Sequence, residues 1–195
     1  EYAKINGDVK MEIGINIRNW GPTATREFLT ESAKIVDNSS LDALWFNDHI
    51  GFPPKIKNNV FGVPKEMGSI IDPLGLACYF ASVTKRVRFG TGVLVLPYRP
   101  ALLTNKLLTA IQILSENRFL LGIGAGYLAE EFQALGVPIK KRGQITDDTL
   151  NLLNESSKNA LVESNGQEFL LEPKLTKPPI YIGQNAEIAF ERTIK

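Results

Sequence analysis

Short apolar runs alternate with longer amphipathic segments along most of this chain. Strand–helix alternation of this kind favours a parallel α/β fold, either an open doubly wound sheet or a (β/α)8 barrel. A closed barrel needs eight strand–helix units, and this sequence supplies about five. The apolar runs predict strands at 12–17, 41–46, 87–96, 117–126 and 178–183, and the amphipathic segments predict helices around 28–36 and at 72–84, 101–115, 129–135, 144–159 and 186–194.

Three segments fall outside this alternation. Residues 47–69 are rich in Gly, Pro and Asn and predict a long loop, and residues 165–173 predict a small hairpin. The chain starts with Glu1, and Met11 immediately precedes the first strand. We therefore interpret residues 1–10 as an upstream extension or scar. Residues 11–195 then form one α/β domain, which lacks its C-terminal strands if the fold is a barrel.

Charge and composition limit the classes of partner. The 195 residues include 22 basic and 21 acidic side chains, so a net charge of +1 offers no field for nucleic acid or an anionic membrane. One cysteine and one histidine exclude an internal disulfide and the common multi-ligand metal sites. The composition predicts a cytoplasmic globular protein and argues against a metal site.

Polar residues follow the second predicted strand, at the edge where parallel α/β folds place their sites. The sequence there is Asn47-Asp48-His49. An aspartate beside an imidazole can bind a polar ligand and handle a proton near neutral pH. The alternative is a histidine held in a structural hydrogen bond, but its position at the start of a long loop favours the functional interpretation.

Glycines mark the third and fourth strands. Gly90-Thr91-Gly92 interrupts one apolar run, and Gly122–Tyr127 ends the next as GIGAGY. Glycine within a strand often indicates close approach of a ligand or of another backbone, and both interpretations stay open here. The spacing is a weak match to a dinucleotide-binding fingerprint.

A helix is predicted to begin just after the fifth strand. Gly183, Gln184 and Asn185 stand at its amino end, where free N–H groups could meet a phosphate. An ordinary helix cap at Asn185 is the competing interpretation.

In this order and spacing, several segments resemble the bacterial-luciferase-like oxidoreductases, (β/α)8 barrels that use FMN or the deazaflavin coenzyme F420. The resemblance runs from about Met11 to the end. It is carried by LWFNDHI, DPLGLACYFASVTKRVRFGTGVLVLPYRP, LSENRFLLGIGAGYLAEEFQALGVP, Arg142-Gly143 and PPIYIG. It implies a C-terminally truncated barrel and, in the parent protein, a homodimer.

The resemblance also implies roles for individual residues. In the F420 branch, the matching Asp48 contacts the cofactor and His49 lies beside the reacting carbon, as the catalytic residue. That branch carries a non-proline cis peptide behind the deazaflavin, which corresponds to Gly92–Val93. Trp20 and Tyr127 are weaker candidates for the substrate wall. The expected cofactor-binding residues are Asp48, Thr91, Gly92, Val93, Gly124, Ala125, Gly126, Gly183, Gln184 and Asn185.

Departures from the family's patterns favour coenzyme F420 over FMN. Luciferases carry Glu-His-His where this chain has Asn47-Asp48-His49, and an arginine for the flavin phosphate where it has Ala125. Relatives usually have two glycines after the fifth strand, whereas Gln184 follows Gly183 here. Tyr127 replaces the glutamate of the sugar-phosphate dehydrogenases, so sugar-phosphate oxidation is not expected.

The resemblance implies an oxidoreductase that transfers a hydride between coenzyme F420 and a small organic substrate. An FMN-dependent monooxygenase is the alternative enzyme. A non-catalytic fragment or scaffold subunit is the alternative from another class.

Overall fold

A computed structural model describes residues 11–53, 69–183 and 187–194. The expectation for residues 1–10 and most of the predicted loop at 47–69 lie outside these ranges. The strands are β1 (Gly14–Asn16), β2 (Ala43–Phe46), β3 (Arg88–Thr91), β4 (Leu94–Val95), β5 (Phe119–Gly124), β6 (Leu161–Ser164), β7 (Gln167–Leu170) and β8 (Ile180–Ile182). The helices are α1 (Arg26–Asp37), α2 (Pro73–Val83), α3 (Ala101–Leu114), α4 (Ala129–Ala134), α5 (Arg142–Lys158) and α6 (Glu187–Ile194), with 3-10 turns at Leu96–Tyr98 and Ile139–Lys141.

The main sheet is parallel throughout, as the alternation predicts. Its path runs β1-β2-β3-β5, and the short β4 and the later β8 both pair with β5. Leu44 and Phe46 are fully buried on the face of β2 that meets the helices, where they join one apolar core with Leu29 and Phe80. The parallel sheet is open across the described residues. It contains β1, β2, the interrupted β3–β4 segment, β5 and β8, which confirms the expectation of about five strand–helix units.

Helix α2 begins where the Asp72-Pro73 pair predicts. One carboxylate oxygen of Asp72 accepts hydrogen bonds from the backbone N–H groups of Leu74 (2.9 Å) and Gly75 (3.0 Å). Pro73 occupies a first-turn position, where its missing N–H is harmless. This cap fixes the start of α2, and the other carboxylate oxygen of Asp72 accepts a hydrogen bond from Arg99.

The third predicted strand, 87–96, is wrong as a continuous element. β3 pairs with β5 through Gly90 opposite Leu120, and β4 resumes the pairing with Leu94 opposite Ile123. Residues 91–93 therefore stand opposite only two residues, 121 and 122, which is a β-bulge. The Gly92–Val93 peptide within it is cis, as the resemblance implies.

The small hairpin is confirmed, with boundaries slightly before those predicted. β6 and β7 pair antiparallel, outside the main sheet. They are joined at Asn165 (φ 52°) and Gly166 (φ 76°), both in the left-handed region. Asn-Gly tolerates this conformation, which two-residue hairpin turns require.

The inner face of the sheet is lined largely by small residues around one tryptophan. Trp45 on β2 lies edge-to-face with Tyr181 on β8, with ring centroids 5.5 Å apart. A β-carbon on Gly14 would stand 2.6 Å from the Trp45 indole nitrogen, and one on Gly122 would stand 3.7 Å from the ring. The glycines leave room for this ring. Across the described ranges, no helix combines the length and apolar character that crossing a bilayer requires.

Candidate active site

A cavity of about 400 Å³ opens where β2, β4, β5 and β8 end. This is the carboxyl edge of the sheet, where parallel α/β folds place their sites. The described part of its lining carries no lysine or arginine side chain. The lining residues are Asn47, Asp48, His49, Gly92, Val93, Val95, Gly124, Ala125, Gly126, Tyr127 and Gly183.

His49 is held from behind by a buried acid. Its Nδ1 lies 2.9 Å from Oε2 of Glu131, whose side chain is 2% exposed. The imidazole itself is 12% exposed and lies between the rings of Phe52 and Tyr127, with centroid separations of 4.6 and 6.1 Å. No described residue hydrogen-bonds to Nε2, so this nitrogen is the one available to the cavity.

Glu131 receives several hydrogen bonds at once. Tyr98 Oη donates to Oε2 (2.7 Å), and the backbone N–H groups of Ile50 and Gly51 donate to Oε1 (2.6 and 3.4 Å). Burial alone would raise the pKa of Glu131, but hydrogen bonds from His49, Tyr98 and Ile50 outweigh it and lower that pKa. Burial and the adjacent Glu131 carboxylate raise the pKa of Tyr98, so the phenol stays protonated and donates.

Asp48 is occupied by protein contacts. Its carboxylate accepts two hydrogen bonds from the guanidinium of Arg99 (2.6 and 2.9 Å) and one from Val95 N–H (2.9 Å). Arg99 also donates to Asp72 (2.7 Å) at the start of α2. The Asp48 side chain has no exposure, and Arg99 supplies the opposite charge that such burial requires. These contacts join the end of β2 to β4 and α2.

Asn19 and Asn47 also hold the carboxyl edge of the sheet together through hydrogen bonds. Asn19 is fully buried, donates to Asn47 O (2.8 Å) and Ile71 O (2.9 Å), and accepts from Asn47 N–H (2.9 Å). Asn47 in turn donates to the carbonyl of Gly92 (3.1 Å). The bulge and the loop that carries His49 are therefore hydrogen-bonded to each other.

The glycines of GIGAG match the spacing of the neighbouring segment. A β-carbon on Gly122 would collide with the carbonyl of Thr91, one on Gly124 would stand 2.7 Å from Val93 Cγ2, and one on Gly126 2.7 Å from Val95 Cγ1. Both segments repeat every two residues, so the Thr91 carbonyl and the side chains of Val93 and Val95 fill the spaces beside the three glycines. Close packing explains these glycines, and the same backbone lines the cavity.

Most of the predicted site residues lie together. The cavity collects Asp48, His49, Gly92, Val93, Gly124, Ala125, Gly126, Tyr127 and Gly183. Gln184 and Asn185 lie outside the described residues.

Two of the predicted side chains are not in this lining. Thr91 is fully buried, and its hydroxyl donates to Gly122 O (2.7 Å) within the sheet. Trp20 forms an isolated bridge with Ile70 and stacks under the Arg18 guanidinium, 4.2 Å from its ring centroid. Trp20 is thus absent from the described lining of this cavity, and its place on the substrate wall stays a prediction.

Sequence reasoning missed Glu131, Tyr98 and Arg99. A signal for Glu131 was present, because Leu128, Phe132 and Leu135 follow helical spacing and Glu131 occupies a position of the same apolar face. An acid at a core-facing position needs partners, and here they are polar groups of the site.

A larger cavity, of about 620 Å³, lies between α5, β8 and α6. Lys177 and Pro178 line it, so it stands at the amino end of β8, opposite the edge where sites form in this fold class. Its buried Arg192 is paired with Asp147 (2.7 Å). We assign the site to the carboxyl edge.

A family model described as luciferase-like monooxygenase matches residues 11–194. An uncharacterized protein of Mycobacterium tuberculosis is 30% identical over 131 residues, covering 64% of this chain and 46% of that protein. The chain thus spans less than half the length of this relative.

Two solved structures superpose on this one. The oxygenating constituent of 3,6-diketocamphane monooxygenase from Pseudomonas putida, in complex with FMN, gives a TM-score of 0.68 at 18% identity, covering 94% of this chain and 55% of that one. The coenzyme F420 dependent tetrahydromethanopterin reductase from Methanopyrus kandleri gives 0.67 at 15% identity, covering 92% and 52%.

At these identities the solved structures show the fold alone. The open sheet corresponds to about half of a luciferase-like (β/α)8 barrel. The family model covers nearly the whole sequence, and the chain belongs to the luciferase-like monooxygenase family.

Proposed function

We propose that this protein transfers a hydride between coenzyme F420 and a small organic substrate. The observation that carries the proposal is one cavity in which His49 and the Gly92–Val93 bulge both form the lining. A titratable side chain and a stretch of side-chain-poor backbone suit proton handling and the support of a flat ring, respectively. Structural neighbours that use FMN or coenzyme F420 support testing hydride transfer first.

The described residues fit the ring system of a flavin or deazaflavin. The cavity volume lies within the range of small-molecule sites, and Gly124, Ala125, Gly126 and Gly183 add little side-chain bulk to its walls. Ala125 also leaves this lining without the arginine that luciferases direct at the FMN phosphate. This absence supports F420 over FMN.

When bound, the deazaflavin ring would accept or supply the hydride. Val93 and the adjoining glycines would support one face of the ring. Asp48 would hold this backbone segment in position by accepting hydrogen bonds from Val95 N–H and Arg99, in addition to any contact with the cofactor. His49 would give or take a proton at Nε2. Tyr127 and Phe52, which both contact the His49 imidazole, would line the substrate position next to it.

We also propose that the protein forms a homodimer through α3. Leu103, Leu107 and Leu114 lie along one stripe of this helix and are 61%, 42% and 58% exposed. An exposed apolar stripe on a helix typically marks an interface. Sedimentation velocity of the wild type and of Leu107→Glu tests this: we expect a dimer and a monomer, respectively. A monomeric wild type would contradict it.

We propose cytoplasmic residence, in keeping with the single cysteine.

A side-by-side fluorescence titration with coenzyme F420 and FMN tests the cofactor. We expect saturable binding of F420 and at least tenfold weaker binding of FMN. His49→Ala, checked for fold by circular dichroism, should retain most of the F420 affinity because His49 acts on the substrate. Binding of FMN alone would overturn the choice of cofactor and favour the monooxygenase. Binding of neither would show that this chain does not form a working site.

A further inference from the structure

We infer that Glu131 is a positioning residue that fixes the ring proton of His49 on Nδ1 and so reserves Nε2 for the substrate. The assignment of the tautomer depends only on contacts within the chain. The part that concerns substrate rests on the proposed function.

The contacts of Glu131 determine which group donates to which. The backbone N–H groups of Ile50 and Gly51 can only donate, and both point to Oε1. Oε2 accepts from Tyr98 and faces His49 Nδ1 at 2.9 Å. The pKa of Glu131 lies below its ordinary value, so the group is an ionised carboxylate whose oxygens can only accept. Nδ1 must therefore carry the hydrogen. In the neutral ring, Nε2 then holds the lone pair.

This arrangement separates the two nitrogens by function. Nδ1–H stays bonded to Glu131 whether the ring is neutral or charged, because an ionised carboxylate accepts from both forms. A proton from a substrate oxygen can therefore enter and leave only at Nε2, the nitrogen without a described partner. Glu131 would also stabilise the positive charge that such a proton brings to the ring.

A purely structural role for Glu131 must be distinguished from this one. The same carboxylate ties the loop at Ile50 and Gly51 to α4, so its loss would disturb the loop in either case. Stability measurements cannot separate the two roles. The position of the ring proton can.

The chain has a single histidine, so isotopic labelling of histidine with 15N reports on His49 alone. Two-dimensional 1H–15N spectra, recorded at a pH where the ring is neutral, distinguish a protonated nitrogen from one with a free lone pair. We expect the wild type to show Nδ1 protonated and Nε2 unprotonated. A ring protonated at Nε2, or an even mixture of the two forms, would overturn the inference.

Glu131→Gln should reverse the tautomer. The two backbone N–H groups will retain the amide oxygen at the Oε1 position, so the amide N–H2 will face Nδ1 and make it an acceptor. The matched control is Glu130→Gln, the same change one residue earlier on α4, which should leave the spectrum unchanged. Tyr98→Phe removes the other side-chain donor to Oε2 and should also keep Nδ1 protonated. An unchanged tautomer in folded Glu131→Gln would contradict the inference.

If the proposed function holds, Glu131→Gln should lower kcat about 100-fold or more while the Kd for F420 stays within twofold. The two proposals fail separately. A protein that binds no F420 but shows the expected tautomers would retain the role of Glu131 and lose the cofactor. A protein that binds F420 but shows a His49 ring protonated at Nε2 would retain the cofactor proposal and lose the role of Glu131.

Discussion

The side chain of Val93 occupies the space that a β-carbon on Gly124 would need, with Cγ2 only 2.7 Å from that position. Its Cγ1 lies 2.5 Å from the corresponding position on Gly183. The bulge residue thus fits between the glycine ends of two neighbouring strands, β5 and β8. This interlock shapes one wall of the proposed cofactor cavity.

Gly124→Ala should therefore destabilise the protein by about 1–3 kcal/mol, because the added carbon overpacks the wall. Combining it with Val93→Ala should recover part of the loss, since that change removes the colliding methyl group. Urea denaturation gives the three free energies of unfolding. Gly75→Ala is the control, because its nearest neighbour is 3.9 Å away and alanine suits a helix. Equal losses in the single and double variants would contradict the interlock.

Asn19→Ala should cost about 3 kcal/mol or more. The change leaves the partly buried N–H and C=O of Asn47 and the C=O of Ile71 without the hydrogen bonds that Asn19 makes, and it empties the buried Asn19 position. Asn38, whose exposed side chain donates to Lys34 O, provides the control, and Asn38→Ala should stay within about 0.5 kcal/mol. Similar midpoints for the two variants in chemical denaturation would show that Asn19 does not hold the edge.

Arg99→Gln should destabilise by about 3–5 kcal/mol, because it leaves the buried Asp48 carboxylate without a countercharge. Asp48→Asn in the same chain removes that charge, so the double variant should lose less than the two single changes added together. Arg88→Gln breaks an ion pair with the half-exposed Glu12 and should cost at most about 1 kcal/mol. Additive losses at positions 48 and 99 would argue against a coupled pair.

Stability should fall at acid pH in part through Glu131. Its folded pKa lies below its ordinary value, so the stabilisation is complete above about pH 4.3 and is lost as the pH falls through the folded pKa. Free energies of unfolding measured across this window should drop less steeply in Glu131→Gln than in the wild type. Glu130→Gln should follow the wild-type curve. Identical slopes in all three proteins would contradict the assignment.

Much of the fold could be predicted from local chemistry. The Asp72-Pro73 cap, the small hairpin and the alternation of strands and helices each depend on neighbouring residues, and each is found in the structure. The break in the third strand depends instead on pairing with β5. Apolar periodicity is continuous across Gly92–Val93, so only the family resemblance indicated the bulge.

The candidate site shows the same division. Asp48 and His49 could be found because a strand end precedes them. Glu131 is 82 residues from His49, and Arg99 is 51 residues from Asp48, so their pairing depends on how α4 and the segment after β4 return to the sheet. Trp20 bridges to Ile70 and is absent from the described cavity lining, because proximity to a strand end does not fix which way a loop turns.

The most direct test of the central claim follows the 15N resonances of His49 while coenzyme F420 is added. Binding at the carboxyl edge should shift these resonances progressively and saturably, with the same Kd as the fluorescence titration. Saturable F420 binding that leaves them unchanged would place the cofactor elsewhere. Absence of binding, with folding intact, would contradict the assignment of this cavity to a deazaflavin.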